Sequence, residues 1–331
     1  MEERRRMKER RDMKERQCTK YSIPASMSIG LRMLDIVSGS CCLVVLRAAS
    51  LRDCNRAMGF EPHHYEGITH HMLLFGCMQP GSSRDVWNCN EMGDKGYGSA
   101  PPCAKGNQII YAWAMDAPKL ELPEGVGFKV GGNTDIQYLV LQVHYAHPEK
   151  LNGGMDDSGL VLKATTTPMP KRAGVLLMGT AGELAPHAET HMETACQIED
   201  DIVMHPFAYR THTHSHGTAV SGYDIRDGEW REIGKGDPQK PQMFYLINKP
   251  GMTIEQGDIV AARCTMMNNE NKVVKVGAGM DDEMCNFYIM YWVDNNRLLS
   301  RNNCFTSGPP SFYWSSVPEL GEAPADASTL D

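Results

Sequence analysis

The sequence predicts an all-β protein built as two antiparallel β-sandwich domains of jelly-roll type in tandem. Three observations carry that expectation. From Phe60 onward, short apolar runs recur between Gly, Pro and Asn, and they alternate with the period of two that strands require. Eleven cysteines are spread singly through these runs without a CxxC pair, the usage of a disulfide-bonded chain in an oxidising compartment rather than a zinc ribbon. The stretch TTTPMP at 165–170 has linker composition and divides the strand-rich region into 59–167 and 168–318.

The elements follow in order. The opening MEERRRMKERRDMKER carries eight basic and five acidic side chains and reads as a solvated tail, not a binding arm. Residues 1–58 show no clean periodicity and form an atypical N-terminal segment. Within them CCLVVL at 41–46 is too short and too far from Met1 to serve as a signal peptide. No run approaches the roughly 20 apolar residues of a membrane-spanning helix. The first sandwich is expected from HHMLLFG, NQIIYAWAM, GFKVGG and QYLVLQVHY, the second from GVLLMGTA, FAYRTHTH, QMFYLIN, DIVAARCTM and NFYIMYWV. The tail 319–331 is small and acidic and reads as loose. A net charge of −8 with no basic region beyond the opening tail argues against a nucleic-acid partner.

Candidate chemistry sits at histidines. In a strand, side chains two apart point the same way, about 6.7 Å from one another. RTHTHSH therefore places Arg210, His212, His214 and His216 on one face, and Tyr209, Thr211 and Thr213 on the other. Two imidazoles so placed can share a metal ion; two surface histidines in a strand would look the same. In MCNFYIMYW, Met284, Asn286, Tyr288 and Met290 share one face, and Cys285, Phe287, Ile289 and Tyr291 the other. A methionine in a strand is ordinarily core, but a thioether beside two imidazoles suits copper, Cu(I) above all, better than zinc. Upstream, adjacent His70 and His71 would point to opposite faces unless a strand end or bulge turns one of them. His144 shares a face with Tyr138, Val140 and Gln142, while Leu139, Leu141, Val143 and Tyr145 fill the core. Two metal centres, one per half, are the expectation.

THHMLLFGC, FKVGGN, YLVLQVHY, FAYRTHTHSHG, VSGY, GDIVAARC and DEMCNFYIMYW, in this order and spacing over 60–312, closely resemble the peptidylglycine α-hydroxylating monooxygenases. These copper type II, ascorbate-dependent enzymes carry out the first step of peptide C-terminal amidation. The resemblance implies one copper held by His70, His71 and His144 as the electron-supplying centre. It implies a second, where O₂ is activated, held by His212, His214 and Met284; His216 falls outside this set. It assigns the substrate's terminal carboxylate to Arg210, Asn286 and Tyr288, ascorbate as reductant and O₂ as co-substrate. The substrate would be a glycine-extended peptide, and the hydroxylated product would pass to a separate lyase, because no segment here resembles the lyase module. A monomer of the secretory pathway, secretory granule or extracellular space is implied. So are the disulfides Cys77–Cys103, Cys196–Cys304 and Cys264–Cys285, with Cys89 pairing with Cys41 or Cys42. Asp157 stands where a further family bridge would need a cysteine. Two alternatives are a dopamine β-monooxygenase-like hydroxylase of a small substrate and an inactive secreted copper-binding homologue. The Arg210–Asn286–Tyr288 triplet argues against the first, and six retained ligands against the second.

Overall fold

The computed structural model describes residues 56–64, 68–88, 100–114, 117–145, 150, 158–165, 167–277, 282–294 and 297–330, together with the backbone of 27–32 and 41–47. Strands dominate, and the fold is all-β. Met27–Arg32 and Cys41–Arg47 are strands although their stretch lacks alternation. Cys41–Arg47 lies inside a five-stranded sheet, between Val86–Asn88 and Tyr138–Tyr145, and an interior strand reads as a continuous apolar run.

Two layers face each other in the first half. The five-stranded sheet continues from Tyr138–Tyr145 to Thr69–Cys77 and Gln108–Ala114. It packs on Gly159–Thr165, Arg56–His63 and Val126–Lys129 through a core containing Leu74, Trp113, Leu139, Leu141, Leu162 and Phe128. Phe60 stacks on Tyr111 at 4.5 Å across that core. In the second half Lys171–Leu184, Cys285–Val293 and His205–Thr213 pair antiparallel. They pack on a four-stranded sheet of Ala188–Gln197, Ile259–Asn268, Gly217–Arg226 and Glu229–Gly236. Gly222 and Gly234 are bare for a reason: an added Cβ would meet the rings of Phe287 at 2.2 Å and Tyr209 at 2.3 Å.

The halves are not two closed sandwiches joined by a string. Val126–Lys129 runs parallel to the start of Lys171–Leu184, so one eleven-stranded sheet crosses from one half to the other. The junction is apolar. Ala173, Val175, Phe207, Ala208, Phe244, Tyr288 and Met290 of the second half join the core of the first. Cys285–Val293 accordingly has both faces buried from Phe287 to Tyr291, and its polar open end lies at Met284 and Asn286.

Disulfides join Cys77 to Cys103, Cys196 to Cys304 and Cys264 to Cys285, with Cα separations of 5.4, 5.9 and 5.8 Å. Cys89 and Asp157 lie outside the described residues, as do the side chains of Cys41 and Cys42. The tail is not loose. Leu320 and Ala327 are buried, Ser221 donates to the Ala327 carbonyl at 2.7 Å, and Lys235 grips Asp326 at 2.7 Å. Small residues let this segment lie flat on the four-stranded sheet, where Trp230 and Trp314 supply apolar surface.

Candidate functional site

The first histidine cluster is made by a β-bulge. His144 pairs with His71, but Tyr145 pairs with Thr69, so His70 is the extra residue. A bulge re-aims the side chain it carries. His70 and His71, which regular pleating would separate, come together with their Nδ1 atoms 3.0 Å apart. His144 lies over His71 with ring centroids 4.1 Å apart. Two nitrogens at that separation fit around one ion at ligand distances of about 2 Å. His71 and His144 are stacked, so they must unstack for both to ligate. Among the described residues no three His, Cys, Asp or Glu side chains already stand as a closed metal site. Burial, then the neighbouring His144, pulls both His70 and His71 below the ordinary imidazole pKa. The neutral ring is the form that binds metal.

The second cluster lies on the face that the junction leaves open. His212 sits opposite Asn286, and Arg210 opposite Tyr288. The His212 and His214 rings meet edge to face at 5.4 Å. Met284 is one step beyond the strand, its Sδ 4.0 Å from the Asn286 amide nitrogen. Gln242 fixes the His212 tautomer. Its Nε2 donates to the carbonyls of Thr213 and Pro238 at 2.8 and 2.7 Å, so its Oε1 must face His212 Nδ1 and accept from it. Nε2 of His212 is then the free lone pair. Burial, then the Arg210 charge, holds His212 down to about 3. The charges of Arg210 and His212 also lower His71.

Arg210 is 3% exposed. Its Nε donates to the Gln242 carbonyl at 2.8 Å and its guanidinium lies over the Tyr288 ring at 4.9 Å. Its Nη1 is buried without a partner among the described residues. A buried cationic N–H with nothing to donate to costs several kcal/mol in round terms, unless a ligand supplies the acceptor. A carboxylate matches the guanidinium fork. Burial raises the Tyr288 phenol above its ordinary pKa despite the nearby Arg210, so it stays a donor.

One expectation changes. The strand ends at Thr213, so His216 does not continue the Arg210–His214 face; it sits in a turn, and it is not exposed. The cause is Glu283, which sequence reasoning missed. Its buried carboxylate accepts from the backbone N–H of His214 at 2.5 Å and of Met284 at 2.7 Å through one oxygen. Through the other it accepts from the His216 backbone at 3.1 Å and contacts His216 Nδ1 at 2.7 Å. One acid thus ties the two segments that carry His214 and Met284. No spacing signal marks it, because its partners are backbone groups. Gln142, also missed, is fully buried on the His144 face with both ends of its amide unpartnered among the described residues.

Comparisons with known proteins identify the family. Residues 40–152 match the N-terminal domain and residues 171–317 the C-terminal domain described as copper type II ascorbate-dependent monooxygenase. The chain is 38% identical over 273 residues to peptidyl-glycine alpha-amidating monooxygenase A of Xenopus laevis, covering 81% of this chain and 28% of that protein. It is 39% identical over 258 residues to peptidylglycine alpha-amidating monooxygenase of Rattus norvegicus, covering 77% of this chain and 25% of that protein. Dopamine beta-hydroxylase of Rattus norvegicus is more distant, at 29% over 248 residues, covering 69% of this chain and 38% of that protein. The chain thus spans little more than a quarter of the length of the amidating relatives. With both domains of one family matched in order, and with imidazole and thioether donors gathered on the matching strands, the chain belongs to the copper type II, ascorbate-dependent monooxygenases.

Proposed function

We propose that this chain hydroxylates the Cα of a C-terminal glycine in glycine-extended peptides, using two copper ions, ascorbate and O₂, as the first step of C-terminal amidation. The observation that carries the reading is the buried, unpartnered Nη1 of Arg210 beside a donor set of two imidazoles and a thioether. His70, His71 and His144 would hold one copper, and His212, His214 and Met284 the other. When bound, copper supplies the one-electron and O₂ chemistry that side chains lack.

The chain's own residues do the rest. Arg210 takes the peptide carboxylate, with the protonated Tyr288 phenol and the Asn286 amide as further donors. Anchoring the carboxylate next to His212 and Met284 presents the terminal residue rather than any interior one, which is the positional advantage of a bound over a free reactant. Phe244 packs against Tyr288 at 6.4 Å, and the apolar junction behind it excludes water from that side. Exposed His70 leaves the first cluster open to a reductant in solution. A dopamine β-hydroxylase-like substrate has no carboxylate for Arg210 to hold, and the corresponding relative is the more distant one.

The disulfides favour an oxidising compartment, in keeping with an enzyme of the secretory pathway. The test is a copper count on the purified protein, paired with an assay of a glycine-extended peptide, ascorbate and O₂. Two coppers per chain and formation of the α-hydroxyglycine peptide are expected. Loaded protein that leaves such peptides untouched removes the reading.

A further inference from the structure

The ladder that links the two halves also gathers charge. Val126–Lys129 pairs with the start of Lys171–Leu184 along one edge and with Arg56–His63 along the other. Arg172 stands opposite Gly127, and Arg56 opposite Lys129. Gly127 and Lys129 are two apart on one strand, and residues directly opposite across paired strands share a face. Arg56, Lys129 and Arg172 therefore leave the sheet on the same side, while Ala57, Phe128 and Ala173 turn into the core on the other. Burial, then the neighbouring Arg172, pulls the Arg56 guanidinium below its ordinary pKa, and burial pulls Arg172 down too. A guanidinium keeps its proton at any physiological pH, so the folded chain carries this repulsion.

A cavity of about 520 Å³ opens beside Lys129 and Arg172, with walls from both halves. Gln108, Thr134 and Ile136 come from the first, Tyr291 and Ser300 from the second. Hydrogen bonds fix both walls. In the first half the Thr134 hydroxyl donates to the Gly131 carbonyl at 2.8 Å, and the Gly131 N–H donates to the Ile136 carbonyl at 2.7 Å. In the second the Leu299 N–H donates to the Tyr291 hydroxyl at 3.2 Å, and Ser300 donates to Asp200 through its N–H and its hydroxyl at 3.0 and 2.9 Å. Arg297 also reaches the cavity, its charge shared with Asp200 at 3.2 Å. Asp135 is the one carboxylate among the described residues that line the space. Lys129 and Arg172, backed by Arg56, outnumber it three to one, an excess of two positive charges among the described residues.

We propose that this cavity binds a small phosphate ester, with the phosphate group held between Lys129 and Arg172. A phosphate dianion matches the excess of two charges, and its oxygens accept from a guanidinium fork and an ammonium together. A chloride or a carboxylate neutralises half as much. The volume falls within the range of small-molecule sites and leaves room for the organic part of the ester. Bound there, the anion ties Lys129 of the first half to Arg172 of the second. Nothing in the site depends on copper or on a peptide.

Calorimetric titration of the copper-loaded full chain tests this, with AMP, glucose 6-phosphate and inorganic phosphate as probes and sodium chloride at matched ionic strength as control. Both esters are expected to bind, one per chain and more tightly than inorganic phosphate, and chloride not at all. Arg172→Gln and Lys129→Gln should each weaken AMP binding about tenfold to a hundredfold, the loss expected for a charge-assisted contact. Asp135→Asn removes a competing charge and should tighten it about twofold to fivefold, the scale of an exposed charge. A folding defect would not produce that gain. Lys249→Gln, at an exposed lysine elsewhere, and Arg210→Ala should leave the affinity unchanged. No binding of either ester, binding undiminished in Arg172→Gln, or binding lost in Arg210→Ala overturns the inference. Inorganic phosphate held as tightly as the esters overturns it as well, because the cavity would then take a free ion.

Discussion

Met284 and Arg210 divide the work of the candidate site between sulfur and charge, and each can be removed separately. Met284 is half-exposed at the end of its strand, so Met284→Ile keeps apolar volume and should change stability by less than about 1.5 kcal/mol. Turnover should vanish because the thioether is gone, while the copper held by His70, His71 and His144 remains. Normal turnover in this variant would take Met284 out of the mechanism. Arg210→Ala removes charge-assisted hydrogen bonds worth roughly 1.5–3 kcal/mol, so KM for the peptide should rise about tenfold to a hundredfold with copper content unchanged. Parallel loss of copper would make Arg210 structural. Gln142 offers a stability test. Replacing a buried amide that has no partner with an apolar side chain of similar shape is neutral or favourable, so Gln142→Leu should raise the urea midpoint or leave it unchanged. A marked drop would mean that bound water or substrate satisfies the amide.

Glu283 matters for what it joins. The turn after His205–Thr213 and the start of Cys285–Val293 meet at one carboxylate, which satisfies three backbone N–H groups. Glu283→Ala strands these donors and should destabilise the protein by about 3 kcal/mol. Copper affinity at His212, His214 and Met284 should fall about tenfold to a hundredfold, as for other groups that orient ligands. Glu283→Gln keeps an acceptor and should recover part of both losses. Copper titration and thermal melting together check this; lost stability with unaltered affinity would confine Glu283 to the fold.

Across the whole molecule, burial is what keeps His71 of the first cluster and His212 of the second neutral. His212 is held down to about 3 from an ordinary value of 6.5, and His71 well below 6.5, both chiefly by desolvation. The unfolded chain therefore binds more protons than the folded one below pH 6.5. Stability is full above that pH and falls as pH drops toward 3, by about 1.4 kcal/mol per pH unit for each such group. Copper-free protein should show a urea midpoint that is flat from pH 8 to 7 and declines below 6.5. His212→Asn should decline less steeply. A profile unaffected by that substitution would mean that solvent reaches the ring.

The sequence by itself determined the fold class and which candidate donors share a strand face. Alternation in 137–145 and 284–293 is a local property, and it assigns Leu139, Leu141 and Val143 to the core and Met284, Asn286 and Tyr288 to a common face without knowledge of any partner strand. Tertiary structure alone decided the rest. The bulge that turns His70 toward His71 depends on the register with His144 and Tyr145, which a single strand does not encode. The sheet that crosses both halves depends on two residue pairs between Val126–Lys129 and Lys171–Leu184. Glu283 and Gln242 act on backbone groups and on one ring nitrogen far along the chain, so neither composition nor spacing marks them. Local patterns fix which way a side chain points, whereas what it meets there is set by contacts between segments distant in sequence.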